Sequence, residues 1–308
     1  HWLFEPQSTN LITYSEDFSQ SSWGKHSAVI LTPNQSSPDG TNNAYKVQGT
    51  IGSSYVLAYG GIGSITPQSR SIYMRADTNG VVYSLGDNQS NQINVTTEWQ
   101  RFELQEVSST FYALDFRGSG VTLDSVYIWG AQLESQSYAT SYIPTNGEVN
   151  GVTRLADAAF GAGSSDLINS TEGVLYAEIA ALVDVGTSRR ISLSDGTSSN
   201  RLFIELRPTT NQMRVEIVVG SGVFALLTNI DKTIFNKIAF SYKSGDSSLF
   251  INGVKISNST SSFVFNTNLS KLSFDNGFSG DDFYGKAKCV AVFKEALTDA
   301  ELTCLTTI

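Results

Sequence analysis

The feature that most constrains this chain is a period of two in the placement of its apolar residues. Alternating segments recur from residue 69 onward, among them SRSIYMRAD, GVVYSLGD, TFYALDFRG, NRLFIELRP, QMRVEIVVG and GKAKCVAVF. Turn clusters such as DTNG and RGSG separate them. Because alternate side chains of a strand point to opposite faces of a sheet, this period indicates half-buried strands rather than helices. The sequence therefore predicts an all-β fold of antiparallel sheets.

Length and composition indicate how many such folds the chain contains. Of its 308 residues, 40% are hydrophobic and only 16% are charged, and 26 are glycine, which suits many short strands joined by tight turns. A chain of this length exceeds the size at which one hydrophobic core usually keeps growing. We therefore expect two antiparallel β-sandwich domains.

Two local signals predict elements of the second half. In SLFINGVKI, Asn252 and Gly253 can supply the positive φ angles of a tight type I′ hairpin. In LTDAEL, Thr298 can cap a helix while Glu301 reaches back to it from three residues later. The sequence thus predicts one short helix, at the C-terminus.

Strand patterning stops near Leu133 and resumes near Val174, and the text between them is rich in Gly, Ser, Ala and Asn. This is linker composition. We expect a first domain over residues 1–144, an ordered linker over 145–164 and a second domain over 165–308.

The charge balance excludes one class of partner. The net charge is −9, and neither half carries a basic cluster, so we expect no nucleic-acid partner. No run approaches the roughly 18 apolar residues of a membrane-spanning helix, and the N-terminus does not show the pattern of a signal peptide. We expect a soluble chain without membrane insertion. HWLFEPQSTN reads as the middle of a protein, so we expect a C-terminal fragment.

The two cysteines are Cys289 and Cys304. Alternation in GKAKCVAVF places Cys289 on the same face as Ala287 and Phe293, so we expect it to point inward as a buried free thiol. A disulfide with Cys304 is the alternative, because the intervening residues could fold a short helix back onto the strand.

The first half contains a series of motifs in fixed order: FEPQSTNLITYSEDFSQSSWGK, PDGTNNAYKV, RSIYMRA, EWQRFEL and VYIWGAQLESQSYATSYIPT. This series resembles a module that recurs in the tail and fibre proteins of tailed phages. The resemblance covers nearly all of residues 3–157, and it implies a virion location with host-surface glycans and other virion proteins as partners.

The same half is also similar to the galactose-binding-like jelly rolls of carbohydrate-binding modules. The residues that carry this similarity are Asn10, Leu11, Ile12, Phe18 and Trp23, with LDSVYI at 123–128. The similarity implies a structural calcium held by Asp17 or Glu16 together with Asp124. Where those modules place Glu directly after the Phe, this chain has Ser19; solvated turn acids are the alternative.

The second half, over about residues 165–308, resembles the concanavalin-like, laminin-G-like jelly roll through KIAFSYKSGDSSLFINGVKI and FYGKAKCVAVFKEALTDAEL. That fold hosts lectins, glucanases, adhesion modules and spacers, so it implies an architecture and no single function. Its loop FDNGFSGDDFYG gathers acidic and amide side chains, and Asp281 is our candidate there for a calcium ligand, with a solvated turn as the alternative.

Catalytic constellations are missing from the sequence. A glycosidase needs two carboxylates roughly 5–10 Å apart, but Glu178, Glu205 and Glu216 stand singly in their segments, where we interpret them as solvent-facing. A Ser/His/Asp relay would have to use His26, the only internal histidine, and the sequence contains no Gly-x-Ser-x-Gly nucleophile elbow to accompany it. The ligands of an ordinary zinc site are lacking too. We predict that the chain is not an enzyme.

Binding is the remaining class. Sugars are recognised by aromatic faces that stack on the pyranose ring, with polar groups bonded to its hydroxyls. In TFYALDFRG, alternation places Tyr112 and Phe116 together on one face. We expect Tyr73, which shares its face with Arg75, to reach an open surface, and we predict that Tyr73, Tyr83 and Tyr55 contact carbohydrate.

The combined prediction is a non-enzymatic module of a phage tail fibre or appendage that binds a host-surface polysaccharide, with a homotrimer as the candidate assembly. One alternative is a purely structural or decoration module of a virion. The other is a pair of carbohydrate-binding accessory domains from a secreted polysaccharide-degrading enzyme or an adhesin, which would be extracellular.

Overall fold

The computed structural model describes residues 1–52, 55–60, 62, 67–86, 90–105, 110–184 and 186–308. The chain divides into two compact units. The first unit is Gln7–Leu155, and the second unit is His1–Pro6 together with Ala156–Ile308. Among the described residues the regular elements of both units are antiparallel strands apart from one short helix, which confirms the all-β prediction.

The strands within residues 1–155 are β1 (Trp2–Phe4), β2 (Ser8–Asn10), β3 (Trp23–Lys25), β4 (Ile30–Gln35), β5 (Ala44–Gln48), β6 (Tyr55–Tyr59), β7 (Ser69–Arg75), β8 (Gly80–Ser84), β9 (Gln92–Val95), β10 (Gln100–Leu104), β11 (Tyr112–Asp115), β12 (Ser125–Glu134) and β13 (Val152–Arg154). The elements within residues 156–308 are β14 (Glu172–Ala181), β15 (Arg189–Ser194), β16 (Asn200–Leu206), β17 (Gln212–Val219), β18 (Ser221–Asn229), β19 (Asn236–Lys243), β20 (Ser247–Ile251), β21 (Val254–Ser259), β22 (Lys271–Ser273), β23 (Gly285–Phe293) and the helix α1 (Asp299–Thr306).

Two five-stranded sheets form the body of the first unit, and β2 and β13 form a separate two-stranded sheet. Sheet I has the order β10-β7-β12-β5-β4, and sheet II has the order β3-β6-β11-β8-β9. Alternate residues of both sheets meet in one core, which includes the fully buried Trp23, Met74, Phe116 and Ile128. Burying one such side chain contributes about 1.5–3 kcal/mol. The other face of each sheet is left available for contacts outside this core.

The second unit repeats this plan with different strand order. Sheet III runs β1-β23-β14-β19-β20-β21, and sheet IV runs β18-β17-β16-β15-β22. Leu175 and Phe240 of sheet III meet Ile204 and Ile217 of sheet IV in a continuous core. The helix α1 covers the other face of sheet III, where Leu302 packs in a small separate cluster.

The structure divides the chain at other points than the expected boundaries of 1–144, 145–164 and 165–308. The strand β1 pairs with β23, so the first six residues belong to the second unit. The strand β13 pairs with β2, which extends the first unit to Leu155. Both β1 and β13 are three residues long, too short to show an alternation, which is why sequence patterning did not reveal them.

Both local elements expected in the second half are confirmed. Asn252 and Gly253 have φ angles of 50° and 82° at the turn between β20 and β21. Thr298 caps α1 with a reciprocal hydrogen-bond pair to Glu301. These two features show that local turn and capping chemistry survives unchanged in the folded chain.

The expected inward orientation of Cys289 is wrong, because the side chain is exposed. The reason is a bulge in the pairing of β23 with β14. Glu178 lies opposite Cys289, but the next residue, Ile179, lies opposite Ala287, so Lys288 is extra and the alternation changes face there. Ala287 therefore faces the main core while Cys289 does not. Cys304 is also exposed, and both thiols are free.

Across the described ranges, no helix combines the length and the apolar character needed to cross a bilayer.

Candidate functional site

The outer face of sheet II contains a depression with a floor of very small residues. Gly24 on β3 lies opposite Ala58 on β6, and Ala58 lies opposite Ala113 on β11. Their neighbours Leu57 and Leu114 point the other way, into the core. Because the three floor residues have at most one side-chain carbon each, the outer surface is recessed across three adjacent strands.

Two aromatic side chains stand at the ends of this floor. Tyr55 is 37% exposed and Phe111 is 45% exposed. Tyr55 lies opposite Asp115, which follows Ala113 by two residues, while Phe111 precedes Ala113 by two. Four residue steps along a strand span about 13 Å at 3.3 Å per residue. The rings therefore bracket an open groove of about 680 Å³.

The remaining lining of the groove explains its shape and polarity. Phe111 lies close to Gly60, where an added Cβ would come within 3.3 Å of the ring. Ser21 and Ser22 supply hydroxyls at the edge, and the Oγ of Ser22 is a buried atom without a hydrogen-bond partner among the described residues. Among the described residues, the eight that line the groove are uncharged: Ser21, Ser22, Gly24, Tyr55, Ala58, Gly60, Phe111 and Ala113. This combination of exposed rings and hydroxyls suits a neutral ligand that has both apolar and polar surface.

The groove ends at a buried ion pair. Asp115 is fully buried and accepts hydrogen bonds from the backbone N–H of Arg117 and from its Nε at 2.9 Å. Asp115 lies directly between Tyr55 on β6 and Tyr83 on β8. The hydroxyl of Tyr83 donates to the carbonyl of Ser119 at 3.1 Å, and its ring rests against Gly118, where a Cβ would clash. The ion pair thus fixes Asp115, the residue of β11 that lies between the two tyrosines.

The three tyrosines predicted from sequence do not form one site. Tyr55 lines the groove, and Tyr83 lies on the same sheet but outside the groove lining. Tyr73 lies on sheet I, where its ring centroid is 5.2 Å from that of Trp129 and 6.4 Å from that of Tyr142. Contact of these three tyrosines with a sugar stays a prediction.

Sequence reasoning missed most of the groove. It grouped Tyr112 with Phe116, and these residues form part of the core, while the opposite face of the same segment, with Phe111 and Ala113, faces the groove. A signal was present, because alternation that buries Tyr112 must turn Phe111 outward. The floor residues gave no such signal, since small side chains are common on any strand.

Of the residues predicted to bind calcium, Asp17 and Asp281 have side-chain partners in the structure. Asp17 accepts hydrogen bonds from Ser19, Gln20 and the hydroxyl of Tyr45. Asp124 is exposed in the first unit, and Asp281, in the second unit, forms an ion pair with Arg190 at 2.9 Å. Over the described ranges, three or more His, Cys, Asp or Glu side chains are nowhere grouped in a way that could hold a metal ion. The calcium site stays a prediction.

The contacts of Asp17 give a prediction for acid stability. Burial alone would raise the pKa of Asp17, but hydrogen bonds from Ser19, Gln20 and Tyr45 outweigh it and lower the pKa to about 2. A lowered folded-state pKa stabilises the fold above the unfolded value near 3.8, and this contribution is lost as the pH falls toward 2. We expect Tyr45→Phe to cost about 1 kcal/mol at neutral pH.

Urea unfolding of the wild type and Tyr45→Phe at neutral pH and at a series of acidic pH values checks this. The difference between the two proteins should shrink as Asp17 becomes protonated. An equal difference at all pH values would show that the lost hydroxyl acts through another contact.

The acidic residues considered for catalysis are held in ion pairs. Glu205 is only 1% exposed, so its interpretation as solvent-facing is wrong. The reason is its central position in sheet IV, where it lies opposite Arg190 on β15 and Arg214 on β17 and binds both. Glu216 pairs with Arg214, and Glu178 pairs with Lys288.

Comparison with known proteins concerns the fold. Residues 178–303 match the model of a laminin-G-like family described as the concanavalin A-like lectin/glucanases superfamily. No curated protein matches the chain. Among solved structures, the Ruminococcus gnavus IT-sialidase CBM40 bound to α2,3-sialyllactose is 16% identical, with 49% of this chain and 94% of that chain covered and a TM-score of 0.41.

Two further solved structures are similar at this level. Domain 4 of AbnA, an extracellular arabinanase from Geobacillus stearothermophilus in complex with arabinotriose, is 17% identical over 53% of this chain and 80% of that chain, with a TM-score of 0.40. Xenopus laevis galectin-Ib is 12% identical over 44% of this chain and 99% of that chain, with a TM-score of 0.32. The family match confirms that the second unit has the concanavalin-like, laminin-G-like fold expected of it, over residues 178–303.

Proposed function

We propose that the chain is a non-catalytic carbohydrate-binding protein and that the groove on sheet II of its first unit binds the sugar. The observation that carries this proposal is the pair of partly exposed rings, Tyr55 and Phe111, at the two ends of an uncharged floor. Strands hold Tyr55 and the floor, and Phe111 directly precedes β11, so little ordering is needed when a ligand binds.

The chemistry of the groove matches that of a sugar. A pyranose has apolar C–H faces that stack on aromatic rings and a rim of hydroxyls that form hydrogen bonds. Tyr55 and Phe111 offer such rings, and Ser21 and Ser22 place hydroxyl-bearing side chains at the edge of the groove. The spacing of about 13 Å between the ends, from the rise of a strand, favours a short run of linked sugars over a single ring.

The biological setting that we propose is the tail fibre or a similar appendage of a tailed phage, with a host-surface polysaccharide as the ligand. The support for this setting is the series of motifs over residues 3–157 that resembles phage tail modules. In that setting the chain would act on the virion, beside other virion proteins and in a trimer. A purely structural role on the virion is the alternative, and glycan binding by the chain would exclude it.

A glycan array probed with the intact chain tests the proposal. We expect binding to a subset of neutral glycans, and we expect Tyr55→Ala and Phe111→Ala each to weaken it about tenfold or more, as residues at the centre of a contact do. Phe160→Ala is the matched control, because Phe160 is 74% exposed and lies in the second unit.

Two results would contradict the proposal in different ways. If the wild-type chain bound no glycan on the array and no surface of a candidate host, a structural role would be the remaining interpretation. Binding that both alanine variants retain at full strength would mean that the sugar sits elsewhere on the chain.

A further inference from the structure

The outer face of sheet I, on the opposite side of the first unit's core from the groove, carries a row of alternating aromatic and cationic side chains. Arg75 on β7 lies opposite Tyr127 on β12, and Tyr127 lies opposite Lys46 on β5. Trp99 directly precedes β10 and stacks on Arg75 from the other side. We define Trp99, Arg75, Tyr127 and Lys46 as the cationic row.

The guanidinium of Arg75 is held between two rings. Its central carbon lies 3.8 Å from the ring centroid of Tyr127 and 5.5 Å from that of Trp99. Cation–π contacts of this kind fix the plane of the guanidinium without using its N–H groups. The side chain of Arg75 is partly exposed, so these donors are presented at the surface in a fixed orientation.

The two cations of the row differ in their partners. Lys46 has a carboxylate partner, since its Nζ lies 2.7 Å from Asp77, and the Tyr127 hydroxyl donates to the same carboxylate at 3.1 Å. The guanidinium of Arg75 makes neither an ion pair nor a hydrogen bond within the described ranges; it contacts the two rings and interacts with the charge of Asp77 only through space. Asp77 therefore pairs directly with Lys46, while the N–H groups of Arg75 make no direct contact with a carboxylate among the described residues.

A fixed guanidinium of this kind has a preferred ligand. Its parallel N–H groups match the two oxygens of a carboxylate, and such charge-assisted pairs are the stronger hydrogen bonds of proteins. An acidic protein with a net charge of −9 repels anions in general, so a locally cationic face is selective within it. The partly exposed ring of Trp99 beside the guanidinium adds a plane on which a sugar ring can stack.

We propose that the cationic row is a second ligand site, selective for acidic saccharides, in which Arg75 binds the carboxylate of a uronic acid and Trp99 stacks on its ring. The ring distinguishes this ligand from the side chain of an acidic peptide, which has nothing to stack. The site differs from the groove on sheet II both in position and in charge preference. Binding at one site can therefore be tested independently of binding at the other.

Calorimetric titration of the intact chain tests the site with two named probes, tetragalacturonate and the uncharged tetramer of galactose. We expect tetragalacturonate to bind, to bind more weakly as NaCl is raised, and to shift the indole N–H signal of Trp99 in an NMR titration. We expect Arg75→Gln to weaken binding about tenfold or more, as loss of a charged hydrogen-bonded pair does. Arg75→Lys keeps the positive charge but loses the parallel N–H groups of the guanidinium, so it should bind tetragalacturonate with intermediate strength.

The control variant is Arg207→Gln, which removes the same charge from the second unit, where the Arg207 side chain bonds to Gln212. It should bind tetragalacturonate like the wild type. Equal binding of both tetramers, full binding by Arg75→Gln, or a Trp99 signal that does not move in the wild type would each overturn the proposal. Polyglutamate that binds as tightly as tetragalacturonate would overturn the saccharide assignment and indicate a protein partner.

Discussion

Replacing Ala58 with tryptophan is expected to abolish glycan binding at the groove of sheet II. Ala58 lies in the middle of the floor, opposite Gly24 on one strand and Ala113 on the other. An indole at this position would fill the space between Tyr55 and Phe111 that a sugar ring must occupy. We expect a loss of affinity of about a hundredfold or more, equivalent to about 2.7 kcal/mol.

The same substitution should have little effect on folding. The side chain of Ala58 points away from the core into open space, so no core volume changes. We expect the free energy of unfolding to change by less than about 1 kcal/mol. Ser36→Trp is the matched control, because it adds the same ring at an exposed position of the same unit outside the groove. Glycan binding by Ala58→Trp at wild-type strength would exclude the groove as the site.

The largest effect on stability is expected from Glu205→Ala. Glu205 accepts a hydrogen bond from the Nη2 of Arg190 at 3.0 Å and also pairs with the Nε of Arg214. Both guanidinium groups stack on Phe203, with distances of 4.5 and 5.5 Å to its ring centroid. Removal of the carboxylate would leave two largely buried cations side by side, each with one remaining acidic partner, Asp281 or Glu216. Breaking a buried pair in this way typically costs about 3–5 kcal/mol.

The contribution of the Glu205 carboxylate to stability depends on pH. Burial raises the pKa of Glu205, but hydrogen bonding from Ser188 and the charges of Arg190 and Arg214 outweigh burial and lower it. The carboxylate therefore stabilises the second unit above the unfolded pKa near 4.5, and this stabilisation disappears as the pH falls through the lower folded value. Glu205→Ala should accordingly approach the wild type in stability under acidic conditions.

Urea unfolding followed by circular dichroism measures this effect. Glu172→Ala is the control, since Glu172 pairs with Lys243 at the surface and such pairs contribute at most about 1 kcal/mol. A Glu205→Ala protein that unfolds at neutral pH within 1 kcal/mol of the wild type would contradict our view that sheet IV depends on this carboxylate.

The parts of the fold that sequence predicted are those with a local cause. Alternation placed Tyr112 and Phe116 on one face of their strand, and the structure buries both side chains in the core. Asn252 and Gly253 specified their turn through backbone geometry, and Thr298 with Glu301 specified the start of the helix. Each of these signals involves residues close together in the chain.

The parts that sequence did not predict depend on partners that are distant in the chain. The bulge opposite Glu178 turned Cys289 outward, and nothing in GKAKCVAVF indicates where the partner strand skips a residue. Glu205 became buried because two arginines from neighbouring strands face it. The groove needed Gly24, Ala58 and Ala113 to coincide across three strands, which only the register of the sheet determines.

The pairing of β1 with β23 makes the second unit discontinuous in sequence, with the whole first unit inserted between its edge strand and its remainder. Phe4 anchors that edge, since its ring centroid lies 4.7 Å from that of Phe274. The inserted unit enters through β2 and leaves through β13, which are paired side by side, with Thr9 opposite Thr153. A unit whose entry and exit adjoin can be exchanged as a cassette without parting the host fold. Residues 7–155 can thus be replaced as one piece while the β1 edge stays in place.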